Sequence, residues 1–391
     1  MKPLKFFYSI AITIALLVLG SSVVFGQDNP GDNLSALSDS QKYFKAIHIM
    51  IMLLVGFGFL MVFVRKYGRS ALTATFLLVS VSMPFYFLWK DFKIFGEETS
   101  LIDTLILAEF AAASLLITAG AVLGRLKMHQ YIILAVLFVP AYMLNEWIML
   151  DEHLRLIAER PVVDTGGSIV IHAFGALFGL GVAVAMTTKN EFAKAIEADA
   201  TSDRFSLLGS MVLWVFWPSF CAALVPLNEV VPTGINVILA LCGATFATYM
   251  ATISLRGKIN AADIANASLA GGVAIGSVCN TASPGEAIII GLLAGAISTF
   301  GFAIVQSRLQ KGLKLVDTCG VSNLHGIPGI LGGIAALVVV KDINVSAQFI
   351  GIIGTIVIAV VTGFITGYIL SLFGHRKEPY VDTEEFADAE D

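Results

Sequence analysis

Charge is scarce in this chain: only 14% of its 391 residues are Asp, Glu, Lys or Arg, against 57% hydrophobic. With a mean hydropathy of +0.84, no soluble domain of that length is a reasonable reading, and a polytopic membrane protein is. The net charge of -5 is small, and much of the acid sits in the last residues, so the composition gives no support for a nucleic-acid partner. Cysteine is rare as well. Cys221, Cys242, Cys279 and Cys319 lie in or at the ends of apolar segments without CxxC spacing, which argues against a disulfide or metal framework and for small apolar packing. No HExxH-type motif occurs, so nothing points to a zinc enzyme of that kind, and neither a metal nor a cofactor is expected.

What the chain does contain is apolar runs. The first has Lys2 and Lys5, an apolar core from Phe6 to Leu19 and small residues before Gln27, the pattern of a signal peptide over 1–26, with an uncleaved extra span as the alternative. A short external segment is expected over 27–43. Eleven spans follow at about 44–64, 70–89, 101–123, 130–150, 167–188, 205–227, 232–255, 263–280, 284–306, 323–340 and 347–373. The span-containing domain is thus 44–373, and the acidic tail 374–391 is expected to be solvated. With the mature start outside, the inner segments hold Arg65, Lys66, Arg69, Arg125, Lys127, Arg376 and further basic residues, which outnumber those outside. That bias orients the C-terminus to the cytoplasm.

One run stands apart. Residues 164–180 place His172 within an apolar stretch, and an ionisable group at membrane depth needs a reason. The pattern returns later: Asp317, Thr318, Gly320, His325 and Gly332 repeat Asp164, Thr165, Gly167, His172 and Gly179 at the same offsets. The two copies fall five spans apart, an odd number, so they thread the bilayer in opposite senses. The expectation is an all-α fold with an inverted repeat of five plus five spans and one added helix, and with two histidines meeting near the midplane. Glycine pairs four apart, such as Gly175/Gly179, Gly291/Gly295 and Gly329/Gly333, suit close helix packing in lipid.

A neutral imidazole offers one donor and one acceptor, so two rings can bond each other and still present polar edges to something small. Asp164 and Asp317 stand just ahead of their helices, where a carboxylate caps exposed amides; Asp164 can also shape a cation-attracting vestibule. Glu146, beside Trp147 at the outer end of its span, is either a second vestibule acid or part of an interfacial belt. Phe110 and Phe220 are core residues on the sequence pattern alone.

The chain resembles the Rh (Rhesus) family of the ammonium transporter superfamily. The resemblance runs from about Tyr43 to about Leu370 and rests on Val-Gly-Phe-Gly-Phe-Leu-Met (55–61), Asp-Thr-Gly-Gly-Ser with Ile-His-Ala-Phe-Gly (164–175), Trp-Pro-Ser-Phe (217–220), Asn-Ala-Ser-Leu-Ala-Gly-Gly-Val-Ala-Ile-Gly (266–276), Asp-Thr-Cys-Gly (317–320) and Asn-Leu-His-Gly-Ile-Pro-Gly (323–329). It implies a homotrimer in a bacterial inner membrane, one pore per subunit, and no enzymatic activity. His172 and His325 correspond to twin pore histidines, Phe110 and Phe220 to a stacked gate, Glu146 to a vestibule acid and Asp164 to a buried aspartate required for conduction. Ammonium or ammonia is then the substrate, with methylammonium and carbon dioxide as further permeants. The family pattern favours net ammonia, and an electrogenic ammonium transporter is the alternative. Cys221 departs from the asparagine that some members carry after the second phenylalanine.

Overall fold

A computed structural model describes residues 33–96, 99–150 and 162–387. The signal-peptide reading of 1–26 lies outside the described residues. Among the described residues eleven helices are long and apolar enough to cross a membrane: α1 Ser35–Phe63, α2 Gly68–Asp91, α3 Leu101–Val122, α4 Met128–Leu150, α5 Ser168–Met186, α6 Ala200–Cys221, α7 Leu227–Arg256, α8 Ala261–Val278, α9 Pro284–Leu313, α10 Ser322–Val339 and α11 Val345–Ser371. They match the expected spans in number and order. The first begins earlier than expected, because the helix runs back through polar residues to Asn33. Lys42, on that extension, forms a 2.6 Å ion pair with Asp103 at the start of α3.

Packing follows the repeat. α2 packs on α4 as α7 packs on α9, and α3 packs on α5 as α8 packs on α10, so spans α1–α5 and α6–α10 reproduce one arrangement five spans on. Between them α5 meets α10. α11 lies outside the repeat against α5 and α4, as the added helix the sequence analysis predicts. Glycine allows the tightest crossing: a Cβ on Gly291 or Gly295 would collide with the backbone of Ala240 or Ala244, which sets α9 directly against α7.

Two faces can be told apart. The mouth face holds the beginning of α3 and the end of α6, and the tail face receives the C-terminal segment. Through residue 387 that segment is seated on this face, although its acids Glu378, Glu384 and Glu385 stay exposed. Arg376, Tyr380 and Val381 are buried, and the Arg376 guanidinium lies 5.3 Å over the Tyr67 ring while Nη2 donates to the Val381 carbonyl at 2.7 Å. Asp382 accepts from the amides of Arg69 (3.0 Å) and Ser70 (2.8 Å) at the start of α2. Glu385 accepts from the Met128 amide at 3.0 Å at the start of α4. The acids are caps delivered from a distance to the positive ends of two helices, where unpaired amides favour anions.

Candidate functional site

The same local device builds both halves of the site. After each aspartate the chain turns through a glycine in the left-handed region, Gly167 at φ 77° and Gly320 at φ 66°, which a side chain would strain. Those glycine amides bond back to the carbonyls of Asp164 (3.1 Å) and Asp317 (3.2 Å). Each histidine then stands on a π-helical turn, Ser168–Ala173 for His172 and Ser322–Gly326 for His325. Such turns are rare and recur at functional sites.

The carboxylates hold those turns. Asp164 accepts from the amides of Ile169 and Val170, the latter at 2.7 Å, and from Ser277 Oγ of α8 at 2.6 Å. Asp317 accepts from the Val321 amide (2.9 Å) and from the Ser322 amide and hydroxyl (3.0 and 2.8 Å). Burial pushes both carboxyls up from their ordinary range, while the Ser277 hydroxyl on Asp164 and the Ser322 amide on Asp317 pull them back. Asp164 is thereby a buried cap with its oxygens engaged. Its neighbour Thr165 is exposed and donates to Asn280, which in turn donates to Glu229.

His172 and His325, only 2% and 3% exposed, come together as the repeat predicts. Their Nδ1 atoms are 3.2 Å apart and their planes differ by 10°. One Nδ1 must donate and the other accept, so the rings hold opposite tautomers at that bond. His172 Nε2 is buried with no hydrogen-bond partner among the described residues.

The walls are aromatic. Phe110 of α3 and Phe220 of α6 contact each other with ring centroids 4.7 Å apart, and Phe220 lies 5.9 Å from His172. Trp217 stacks on His172 at 5.5 Å, and Phe57 stacks on His325 at 6.3 Å. Neither Trp217 nor Phe57 was singled out from the sequence, although both lie in the runs that carry the Rhesus resemblance. Gly272 of α8 makes room for the indole: a Cβ there would stand 2.6 Å from the Trp217 ring.

Glu146 is set apart from this cluster of rings. Its Oε2 accepts from Tyr86 OH of α2 at 2.7 Å, which ties it to the α2–α4 contact at the mouth face. Glu109, beside Phe110, is a second carboxyl the pattern reading missed. It is 1% exposed, and its Oε2 has no hydrogen-bond partner among the described residues. The signal was available, since it is an acid well inside an apolar span.

The comparisons with known proteins agree on a family. A profile of the Ammonium Transporter Family matches residues 9–389. The chain is 34% identical over 380 residues to bovine Ammonium transporter Rh type A, covering 92% of this chain and 87% of that protein. It is 36% identical over 342 residues to Rhesus-like glycoprotein A of Dictyostelium discoideum, covering 82% and 63%. Among solved structures it is similar to Nitrosomonas europaea Rh50, of the Rhesus protein family of channels, with 51% identity, a TM-score of 0.89 and 92% and 94% of the two chains covered. A Sensor Amt Protein, at 18% identity and a TM-score of 0.71 over 86% and 92%, shares the fold. With eleven spans, an inverted repeat and a histidine pair at its centre, the chain belongs to the ammonium transporter family, in its Rhesus branch.

Proposed function

We propose that this membrane protein conducts neutral ammonia, with the paired imidazoles of His172 and His325 as the polar midpoint of an otherwise apolar path. The observation that carries the reading is the 3.2 Å Nδ1 contact between the two rings, enclosed by Phe57, Trp217 and Phe220. Ammonium gathers at the mouth face near Glu146 and the Asp164 turn, hands its proton to water on that side, and the neutral gas passes Phe110 and Phe220. A bare cation at bilayer depth costs from about 3 to more than 10 kcal/mol. A neutral amine needs only one or two hydrogen bonds, each of about 1 kcal/mol net. Sodium and potassium are excluded because the walls offer nothing in place of their water.

The test is flux in proteoliposomes. His172→Ala and His325→Ala are each expected to lower ammonia or methylamine uptake by about fivefold, the value of one lost hydrogen bond of about 1 kcal/mol in the path. Parental uptake in both single variants and in the double variant removes the pair from the mechanism. The same Nδ1 contact gives one specific reason to keep an electrogenic alternative, since a proton can pass between bonded imidazoles while ammonia travels separately. An ammonium jump that alkalinises the lumen without current favours the neutral path; current in proportion to uptake favours the alternative. Carbon dioxide is a further candidate gas, tested by acidification of the same vesicles.

The tail face carries Arg65, Lys66, Arg69, Arg125 and Lys127, which supports a cytoplasmic C-terminus in the plasma membrane; a reporter fused after Asp391 checks it. The Rhesus resemblance supports a homotrimer, measurable by light scattering in detergent.

A further inference from the structure

Two lysines one turn apart on α1 meet different fates at the mouth face. Lys42 is neutralised by Asp103 at 2.6 Å, and Asp103 is itself held by the Ser100 hydroxyl at 2.8 Å. Lys45 turns inward. It is 9% exposed, and its Nζ donates to the carbonyl of Ala222 at 2.8 Å, just beyond the C-terminal end of α6. Among the described residues Lys45 forms no ion pair. A helix C-terminus is a partial negative end and accepts a cation, which explains how a lysine can stand there. It offsets only part of the charge.

The place is what matters. Ala222 lies two residues beyond Phe220, whose ring meets Phe110 at 4.7 Å, so the ammonium group is on the order of 10 Å from the gate. The same stretch of α6 is fixed to α1 by His48, whose Nδ1 is 2.9 Å from Ser219 Oγ and whose ring is 5.0 Å from Phe216. Lys45 is held in place and cannot swing away as a surface lysine would. A unit charge about 10 Å from a path, at an effective dielectric of about 20, changes the partition of a passing cation by roughly tenfold. It does nothing to a neutral molecule.

We propose that Lys45 is a specificity-determining residue: a fixed positive charge on the mouth side of the Phe110/Phe220 pair that opposes cations and lets ammonia pass. The inference deepens the neutral-gas reading and rests on it. It adds a repulsive element to a pore otherwise selective only by failing to solvate ions. Lys45 also braces the end of α6, and a bracing role alone has to be told apart from a charge role.

The experiment measures current and uptake together on proteoliposomes holding the full-length protein, after ammonium and potassium jumps, for the parent, K45R, K45Q and K45M. Glutamine keeps a donor for the Ala222 carbonyl without the charge, and arginine keeps the charge. K45Q and K45M are expected to raise current per unit uptake by about tenfold, with K45R close to the parent. If K45Q matches the parent, the charge has no role in selection and the proposal is overturned. Parental current in proportion to uptake sinks the neutral-gas reading instead, and the K45Q-to-parent ratio still reads the lysine. Melting and gel filtration of each variant confirm folding, and should K45M fail to fold, K45Q decides.

Discussion

The two copies of the Asp-Thr-Gly turn share a sequence and a backbone but not a neighbourhood. In the mouth-side copy the aspartate is held across helices, since Ser277 of α8 donates to Asp164, and the histidine is walled by Trp217 and Phe220. In the tail-side copy the aspartate is held by its own turn through Ser322. The carbonyl of the preceding residue, Val316, accepts from the fully buried Arg125 at 2.6 Å, and Arg125 also donates to Thr187 at the end of α5. An inverted repeat supplies the turn twice and leaves the surroundings free to diverge. The mouth side became a rack of rings against the histidine, and the tail side became a clamp of hydrogen bonds.

The largest effect expected is at the shared cap. Asp164→Ala would leave the amides of Ile169 and Val170 and the Ser277 hydroxyl without their acceptor, at about 1 to 3 kcal/mol for each buried group left unmade. A loss of at least about 3 kcal/mol in melting experiments, together with loss of uptake, is expected. If Asp164→Ala melts like the parent, the carboxylate is not what holds the π turn. Next comes the aromatic rack. Gly272→Ala would press a methyl group into the Trp217 ring, with overpacking costs of about 1 to 3 kcal/mol. A shift in tryptophan emission and slower uptake should appear together, and an unchanged flux would show that Trp217 does not shape the path. The comparison between the copies is sharpest at the serines. Ser277→Ala removes a contact between helices and Ser322→Ala a contact within one turn, each worth about 1 kcal/mol. The first is expected to lower both stability and flux, and the second stability alone. Equal effects on flux would mean that the two copies contribute alike.

How much of this could be read without coordinates depends on what kind of signal each residue leaves. The histidine pair was legible because five identities at fixed spacing, five spans apart, leave few ways to be arranged. Phe110 and Phe220 were legible only through the family resemblance, since a phenylalanine among 27 carries no periodic mark. Trp217 and Phe57 were hidden for the same reason. The seating of the tail left no mark in its composition. Asp382 and Glu385 look like solvated acid until the open amides of α2 and α4 come into view, and Arg376, Tyr380 and Val381 supply the apolar and cationic contacts that seat them. Lys45 left no trace, because a lysine near a helix start reads as an anchor at the membrane surface.

The π turns under His172 and His325 have a consequence for how such a chain can change. Each inserts one residue beyond what an ordinary α-helix would need, and one residue is about 100° of rotation about the axis. Deleting a single position in either turn would relax the coil and swing that imidazole by more than a quarter circle, away from its mate. Substitutions can drift through these segments, but a change of length cannot be absorbed there. A shortened sequence would have to lose both facing side chains or neither.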